Sequence, residues 1–209
     1  MNFSSDALRN MPLWVIAFLI SGAFHEFAHA WTAHKLGDPT PERMGRLTLN
    51  PIPHIDPLGL FFIILMTLSG WGIGWMKPVP INPYNFRRPR QGMMLVSLSG
   101  PVSNILLAAF FILLHKILPV LFMAGNPVGR LLGIFLFLNV LLAVFNLLPI
   151  PPLDGSHIVS GLLPEKLAEQ WEKIYPFGFW ILLILLYFQV LQMILNPIFD
   201  FVRDVIMRF

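Results

Sequence analysis

Residues 12–34 form an apolar run long enough to cross a bilayer, and its middle reads Phe24-His25-Glu26-Phe27-Ala28-His29. Hydrocarbon offers the backbone no hydrogen-bond partners, so such a run must be helical. On a helix His25 and His29 project from one face, about 40° apart, and both imidazoles can reach one metal ion. Glu26 lies about 100° round from His25, free to act on water. Three ionisable groups at membrane depth are costly unless they are paired, coordinated or catalytic. A helix whose polar residues merely find hydrogen-bond partners is the plain alternative, and the apolar setting favours metal binding or catalysis over it. His-Glu-x-x-His is the arrangement of zinc hydrolases: two histidines and a third ligand hold one zinc ion, one position stays open, and the glutamate serves as base.

Composition fixes the class. Of 209 residues, 56% are hydrophobic and 12% charged, with a mean hydropathy of +0.70. A soluble domain carries about twice that charge. The chain reads as an integral membrane protein, with residues 1–209 as one membrane-embedded domain. It has no cysteine, so a metal must be held by histidine and carboxylate. Its basic residues are not interleaved with a stacking surface, so no nucleic-acid partner is expected. Residues 1–10 lack the cationic leader of a cleavable signal peptide.

Proline and glycine punctuate the rest. Pro12 suits the first turn of the first spanning helix. Residues 35–57 are polar; Arg46 to Asn50 alternates as a short strand would, and Pro51, Pro53 and Pro57 exclude helix. Residues 58–76 are apolar but end in Gly70, Gly72 and Gly74. Lys77 to Pro83 is extended. Spanning helices are expected over about 92–123, interrupted near its start by Gly100-Pro101, over 128–148 and over 175–196, with Asp200 to Phe209 an amphipathic tail at the interface. The fold class is therefore an all-α polytopic membrane protein of about four to five transmembrane helices, with a re-entrant or β-hairpin-like segment between the first two core helices.

Loop charges bear on that segment. Lys35, Arg43 and Arg46 lie before residues 58–76, and Lys77, Arg87, Arg88 and Arg90 after them. The positive-inside rule places both loops in the cytoplasm, so residues 58–76 enter and leave by one face. A plain spanning helix, for which 19 residues suffice, is the competing reading. With re-entry, the helix from 92 runs outward, the helix from 128 runs inward, and Asp154 emerges on the cytoplasmic side. His25 lies about 15 Å from the cytoplasmic end of its own helix, so both can meet.

Asp154 follows the break Pro149-Ile150-Pro151-Pro152-Leu153, where unwound backbone can aim a carboxylate inward. From spacing alone it reads equally as a helix N-cap; the membrane setting and the two histidines favour a third metal ligand. Asn146, alone in an apolar run, could donate to a developing oxyanion or knit helices together. Asn104 carries the same two readings, with packing favoured. His54 either borders the site or structures its loop. His34 faces away from His25, and His115 and His157 read as interface or capping residues.

Taken together, the chain resembles the site-2 protease family of intramembrane zinc metalloproteases. The resemblance rests on His25-Glu26-Phe27-Ala28-His29, the loop Asn50 to Gly59, Lys77-Pro78-Val79-Pro80 with Asn82-Pro83, Gly100-Pro101 with Asn104, and Asn146-Leu147-Leu148-Pro149 through Pro152-Leu153-Asp154-Gly155. It implies one Zn2+ held by His25, His29 and Asp154, with Glu26 as catalytic base and Asn146 as a supporting active-site residue. It also implies peptide-bond hydrolysis in or near the transmembrane helix of a membrane-protein substrate. The expected setting is the cell membrane of a prokaryote, with the active site nearer the cytoplasmic side of the bilayer. Many relatives carry a PDZ domain or a pair of CBS domains, and these 209 residues leave room for neither. Two other classes fit less well: an inactive homologue that binds membrane proteins, against which the intact ligand set argues, and a metal transporter, which Glu26 beside the first histidine fits poorly.

Overall fold

A computed structural model describes residues 5–69, 74–122 and 126–207. Among these residues the secondary structure is all helical, without a strand. Three helices are long and apolar enough to cross a membrane: α1 (Ser5–Lys35, apolar from Asn10), α4 (Pro89–Ile117) and α5 (Pro127–Leu147). Between them lie a single turn, α2 (Thr40–Arg43), and a shorter apolar helix, α3 (Pro57–Ser69). After them come α6 (Asp154–Leu162), α7 (Glu165–Glu172), α8 (Gly178–Tyr187) and α9 (Val190–Met207).

The central helix is α4, packed against α1, α5 and α6, and α5 also meets α1. Lipid is as apolar as leucine, so helices in it associate by close packing and polar contacts. The sequence supplies small residues for this: Ala17, Ser21, Ala30 and Ala33 on α1 and Ser97, Gly100 and Ala108 on α4 are all buried. Phe18, Ile63, Met76, Ile134, Phe135 and Leu138 fill the space between α1, α3 and α5.

Polar anchors fix the two ends. At one, Arg130 Nη1 donates to Asn10 Oδ1 at 3.0 Å, tying the start of α5 to that of α1. At the other, the fully buried Asp38 accepts from Thr40 N–H (3.0 Å) and Oγ1 (2.6 Å), Asn82 N–H (2.7 Å) and Asn85 Nδ2 (2.6 Å). Burial alone would raise the Asp38 carboxyl, but these donors hold it below the usual carboxylate range. α1 and α5 therefore run parallel, with α4 antiparallel to both, so Lys35, Pro89 and Leu147 share one side.

Several boundaries differ from expectation. Pro12 stands inside α1 rather than in its first turn, because the helix begins at Ser5. Arg46 to Asn50 forms bends instead of a strand. Thr48 Oγ1 accepts from Asn50 N–H and Asn50 Oδ1 from Ile52 N–H, at 3.1 Å each; these local bonds compete with a ladder. α4 ends at Ile117, and Pro119–Phe122 is a 3-10 turn. The last expected span is broken: the stretches Glu165–Tyr187 and Val190–Ile198 meet at 73°, with Gln189 in the left-handed region at φ 59°. Among the described residues the helices long and apolar enough to span therefore number three, or four if the bent pair is one. The expected tail from Asp200 continues α9, and residues 208–209 lie outside the described residues.

α3 has 13 residues, about 20 Å of helix, against about 30 Å of hydrocarbon. The chain then runs back along it: Gly74 lies against Ile63, the Trp75 carbonyl against Gly59, and Lys77 N–H donates to the His54 carbonyl at 2.9 Å. Gly70 and Gly72, on which re-entry was expected to turn, lie outside the described residues.

Candidate metal centre

The helix periodicity of α1 puts His25 and His29 one turn apart, edge to face, with ring centroids 4.5 Å apart. Their Nε2 atoms are 3.0 Å from each other. Asp154 Oδ2 lies 3.1 Å from His25 Nε2 and 3.3 Å from His29 Nε2. Asp154 is the first residue of α6, after the N-cap Leu153, and its Oδ2 is buried without a hydrogen bond, so the carboxylate turns into the bundle. Leu148 to Leu153, between α5 and α6, provides the unwound backbone that allows this.

The other ring nitrogens decide what this trio is. His29 Nδ1 is 2.8 Å from the Val96 carbonyl, which only accepts, so Nδ1 carries the hydrogen. His25 Nδ1 is 2.7 Å from Asn104 Oδ1, again an acceptor. Both Nε2 atoms therefore present lone pairs. They face a carboxylate oxygen that is buried and has no hydrogen bond of its own. Three acceptors converge with no hydrogen among them. One proton could serve one pair, whereas a divalent cation serves all three. The donor set, two imidazoles and a carboxylate within 4.8 Å, is one that zinc takes in catalytic sites.

Gly100 makes the approach possible. A Cβ there would stand 2.5 Å from His29 Cε1 and 2.6 Å from His25 Cε1. The histidine face of α1 thus lies directly on the backbone of α4.

Glu26, also buried, turns aside as the helix geometry dictates, and its Oε2 accepts from Val79 N–H at 3.0 Å. That N–H belongs to the extended segment after α3, which Arg46 braces. The buried Arg46 guanidinium donates to the carbonyls of Lys77 (2.5 Å) and Pro78 (3.1 Å) and to His54 Nδ1 (3.2 Å). His54 Nε2 donates to the Thr48 carbonyl at 2.9 Å. Burial, reinforced by Arg46, lowers the His54 pKa, so the ring is neutral. His54 is wholly buried and lines no part of the cavity; of its two expected roles it takes the structural one.

A cavity of about 740 Å³ opens beside these groups. His25, Glu26, His29, Asp154 and Asn146 line it, with walls from Phe62 and Leu65 of α3, Leu142 and Phe145 of α5, and Leu182 and Leu186 of α8. Asn146 donates one amide hydrogen to the Leu142 carbonyl at 3.0 Å, leaving the second. Asn104 does not face the cavity; it contacts His25, a closer role than helix packing. His34 pairs with Glu42 at 3.3 Å, away from the centre.

Two residues escaped the sequence reading. His157, read as an interface or capping residue, lines the cavity one turn beyond Asp154 and packs edge-on against Tyr175; its i+3 spacing from Asp154 was the available signal. Burial lowers its pKa against the opposing charges of Asp154 and Glu172. Asn139, wholly buried, binds Asn104 and Ser21. It is a polar residue in an apolar run, seven before Asn146 and on the same helix face.

Residues 121–186 match Peptidase family M50. The chain is 38% identical over 206 residues to "Putative zinc metalloprotease YwhC" of Bacillus subtilis, covering 96% of this chain and 92% of that one. It is 32% identical to "Putative zinc metalloprotease Rip2" of Mycolicibacterium smegmatis over 83% of this chain and 66% of that one. Against "Putative zinc metalloprotease MJ0611" of Methanocaldococcus jannaschii the identity is 30%, over 71% of each chain. No solved structure gives a significant match.

Proposed function

This chain belongs to peptidase family M50 and is a membrane zinc metalloprotease, and we propose that it hydrolyses peptide bonds in or near the transmembrane helices of membrane-protein substrates. The observation that carries this reading is the meeting of His25, His29, Asp154 and Glu26 on one wall of a mainly apolar cavity. A cavity walled by leucine and phenylalanine suits a membrane segment better than a soluble peptide.

His25, His29 and Asp154 would hold the zinc ion. Zinc bound there supplies a Lewis acid that polarises the scissile carbonyl and makes water acidic enough to attack near neutral pH. Glu26 takes the proton of the attacking water and passes it to the leaving amine. Val79 N–H, 3.0 Å from Glu26 Oε2, keeps that carboxylate aimed. The free amide hydrogen of Asn146 donates to the carbonyl oxygen as charge develops on it. The substrate helix must unwind locally first, because its own hydrogen bonds occupy its carbonyls.

Residues 58–76 are read as re-entrant, a reading supported by the shortness of α3 and by the contacts of Gly74 and Trp75 back along it. Basic residues at Lys35, Arg43, Lys77, Arg87, Arg88 and Arg90 then put this end in the cytoplasm of a prokaryotic cell. Glu26→Gln tests the chemistry. Co-expressed with a single-span substrate, the variant should leave it uncut while still binding zinc; undiminished cleavage would sink the assignment.

A further inference from the structure

From the buried polar chain behind His25 we infer that Asn139 is a positioning residue, which sets the tautomer of His25 through Asn104 and so prepares it to bind metal. The inference rests on the reading that His25, His29 and Asp154 hold zinc.

The argument is one of donor and acceptor polarity. Asn139 lies in α5, and its Nδ2 is 2.8 Å from the Phe135 carbonyl of its own helix. A carbonyl only accepts, so the amide nitrogen must sit there. Nδ2 also donates to Ser21 Oγ at 2.9 Å. Asn139 Oδ1 is thereby turned to Asn104, whose Nδ2 donates to it at 2.9 Å. Asn104 Nδ2 further faces the Ser21 carbonyl at 3.4 Å. With its nitrogen committed, Asn104 must show Oδ1 to His25 Nδ1, 2.7 Å away. His25 then carries its hydrogen on Nδ1 and offers the Nε2 lone pair toward Asp154. Asn104, Asn139 and Ser21 are each 0% exposed, so water cannot supply substitute partners.

A free asparagine amide beside a histidine can show either end. Were Asn104 reversed, its NH2 would face His25 Nδ1, the ring hydrogen would move to Nε2, and it would block the metal position. His29 has no such ambiguity, because a backbone carbonyl addresses it directly. The polarity of one backbone carbonyl in α5 thus reaches the metal-facing atom of α1 through two side chains. Side chains that orient a metal-binding histidine in this way are worth about 10–100-fold in metal affinity.

The test measures zinc affinity by chelator competition in the detergent-solubilised full chain, together with the 15N shifts of the histidine rings in the zinc-free protein. Asn139→Leu should weaken zinc at least tenfold and populate the Nε2–H form of His25. Ser21→Ala should leave zinc affinity within about threefold, because the Phe135 carbonyl still orients Asn139. Asn104→Asp has no NH2 to show the ring, but in the otherwise unchanged chain its second oxygen would stand against Asn139 Oδ1, so it is tested only where Asn139 has been replaced. Combined with Asn139→Leu, it should restore binding. An unchanged affinity and tautomer in Asn139→Leu, or a double variant as weak as Asn139→Leu alone, overturns the inference. If Asn139→Leu does not fold, unchanged zinc affinity and His25 tautomer in Asn139→Ala overturn it. Failure of wild type to bind zinc, or wild-type zinc affinity in His25→Ala, would instead overturn the ligand assignment itself.

Discussion

At the scale of single residues, the site depends as much on what is missing as on what is present. Gly100 has no side chain where both imidazoles lie, so Gly100→Ala forces the rings or the helices apart. Zinc affinity measured by chelator competition should fall by about 10–100-fold, the range seen when support for metal ligands is lost. Asn146 touches no ligand and should behave in the opposite way. Asn146→Ala should retain zinc while kcat falls by about 10²–10³-fold, the usual cost of an oxyanion donor. Equal zinc content with undiminished kcat would remove Asn146 from the chemistry.

At the scale of elements, the extended segment after α3 has no strand partner among the described residues, and side chains hold it instead. Arg46 binds two of its carbonyls and His54 one of its N–H groups through the His54 backbone. Arg46→Met should cost about 1–3 kcal/mol for each buried acceptor left unpaired, read as a lower thermal midpoint, with a loss of kcat as Val79 N–H drifts from Glu26. His54 adds a pH dependence. Its folded pKa is lowered, so the unfolded chain binds its proton more readily. The stabilising contribution is fully present above the unfolded value of about 6.5 and is lost as pH falls through the folded value. Thermal midpoints of wild type should therefore decline below about pH 6.5 more steeply than those of His54→Gln. Parallel declines would show that His54 is not the group responsible.

At the scale of the whole molecule, parity is the quantity to check. Lys35, the start of α4 and the end of α5 lie on one side, and Asn10 with Arg130 on the other. The chain has no cysteine, so single cysteines can be introduced without a background. A membrane-impermeant thiol reagent applied to intact cells should label a cysteine at Asn126 and spare cysteines at Arg88 and Lys173. Labelling at Arg88 from outside would reverse the orientation and detach the positive-inside argument from this protein.

What the sequence determined by itself was local and periodic. Spacing on one helix brought His25 and His29 together, apolar length set the long spans, and an isolated charge after a proline break singled out Asp154. The broken last span was not legible, because residues 175–196 are mainly apolar and a lone Gln189 carries none of the usual Gly or Pro marks of a turn. Nor was the bend at Arg46 to Asn50, whose alternation a strand would share. The tertiary structure decided the choices that depend on partners distant in sequence: Asp154 Oδ2 beside His25 and His29, Asn104 against His25 rather than a packing contact, His54 as a brace rather than a neighbour of the cavity. An asparagine or a histidine has several polar faces, and sequence does not say which of them will be met. That is settled only when another helix arrives with a carbonyl or an amide.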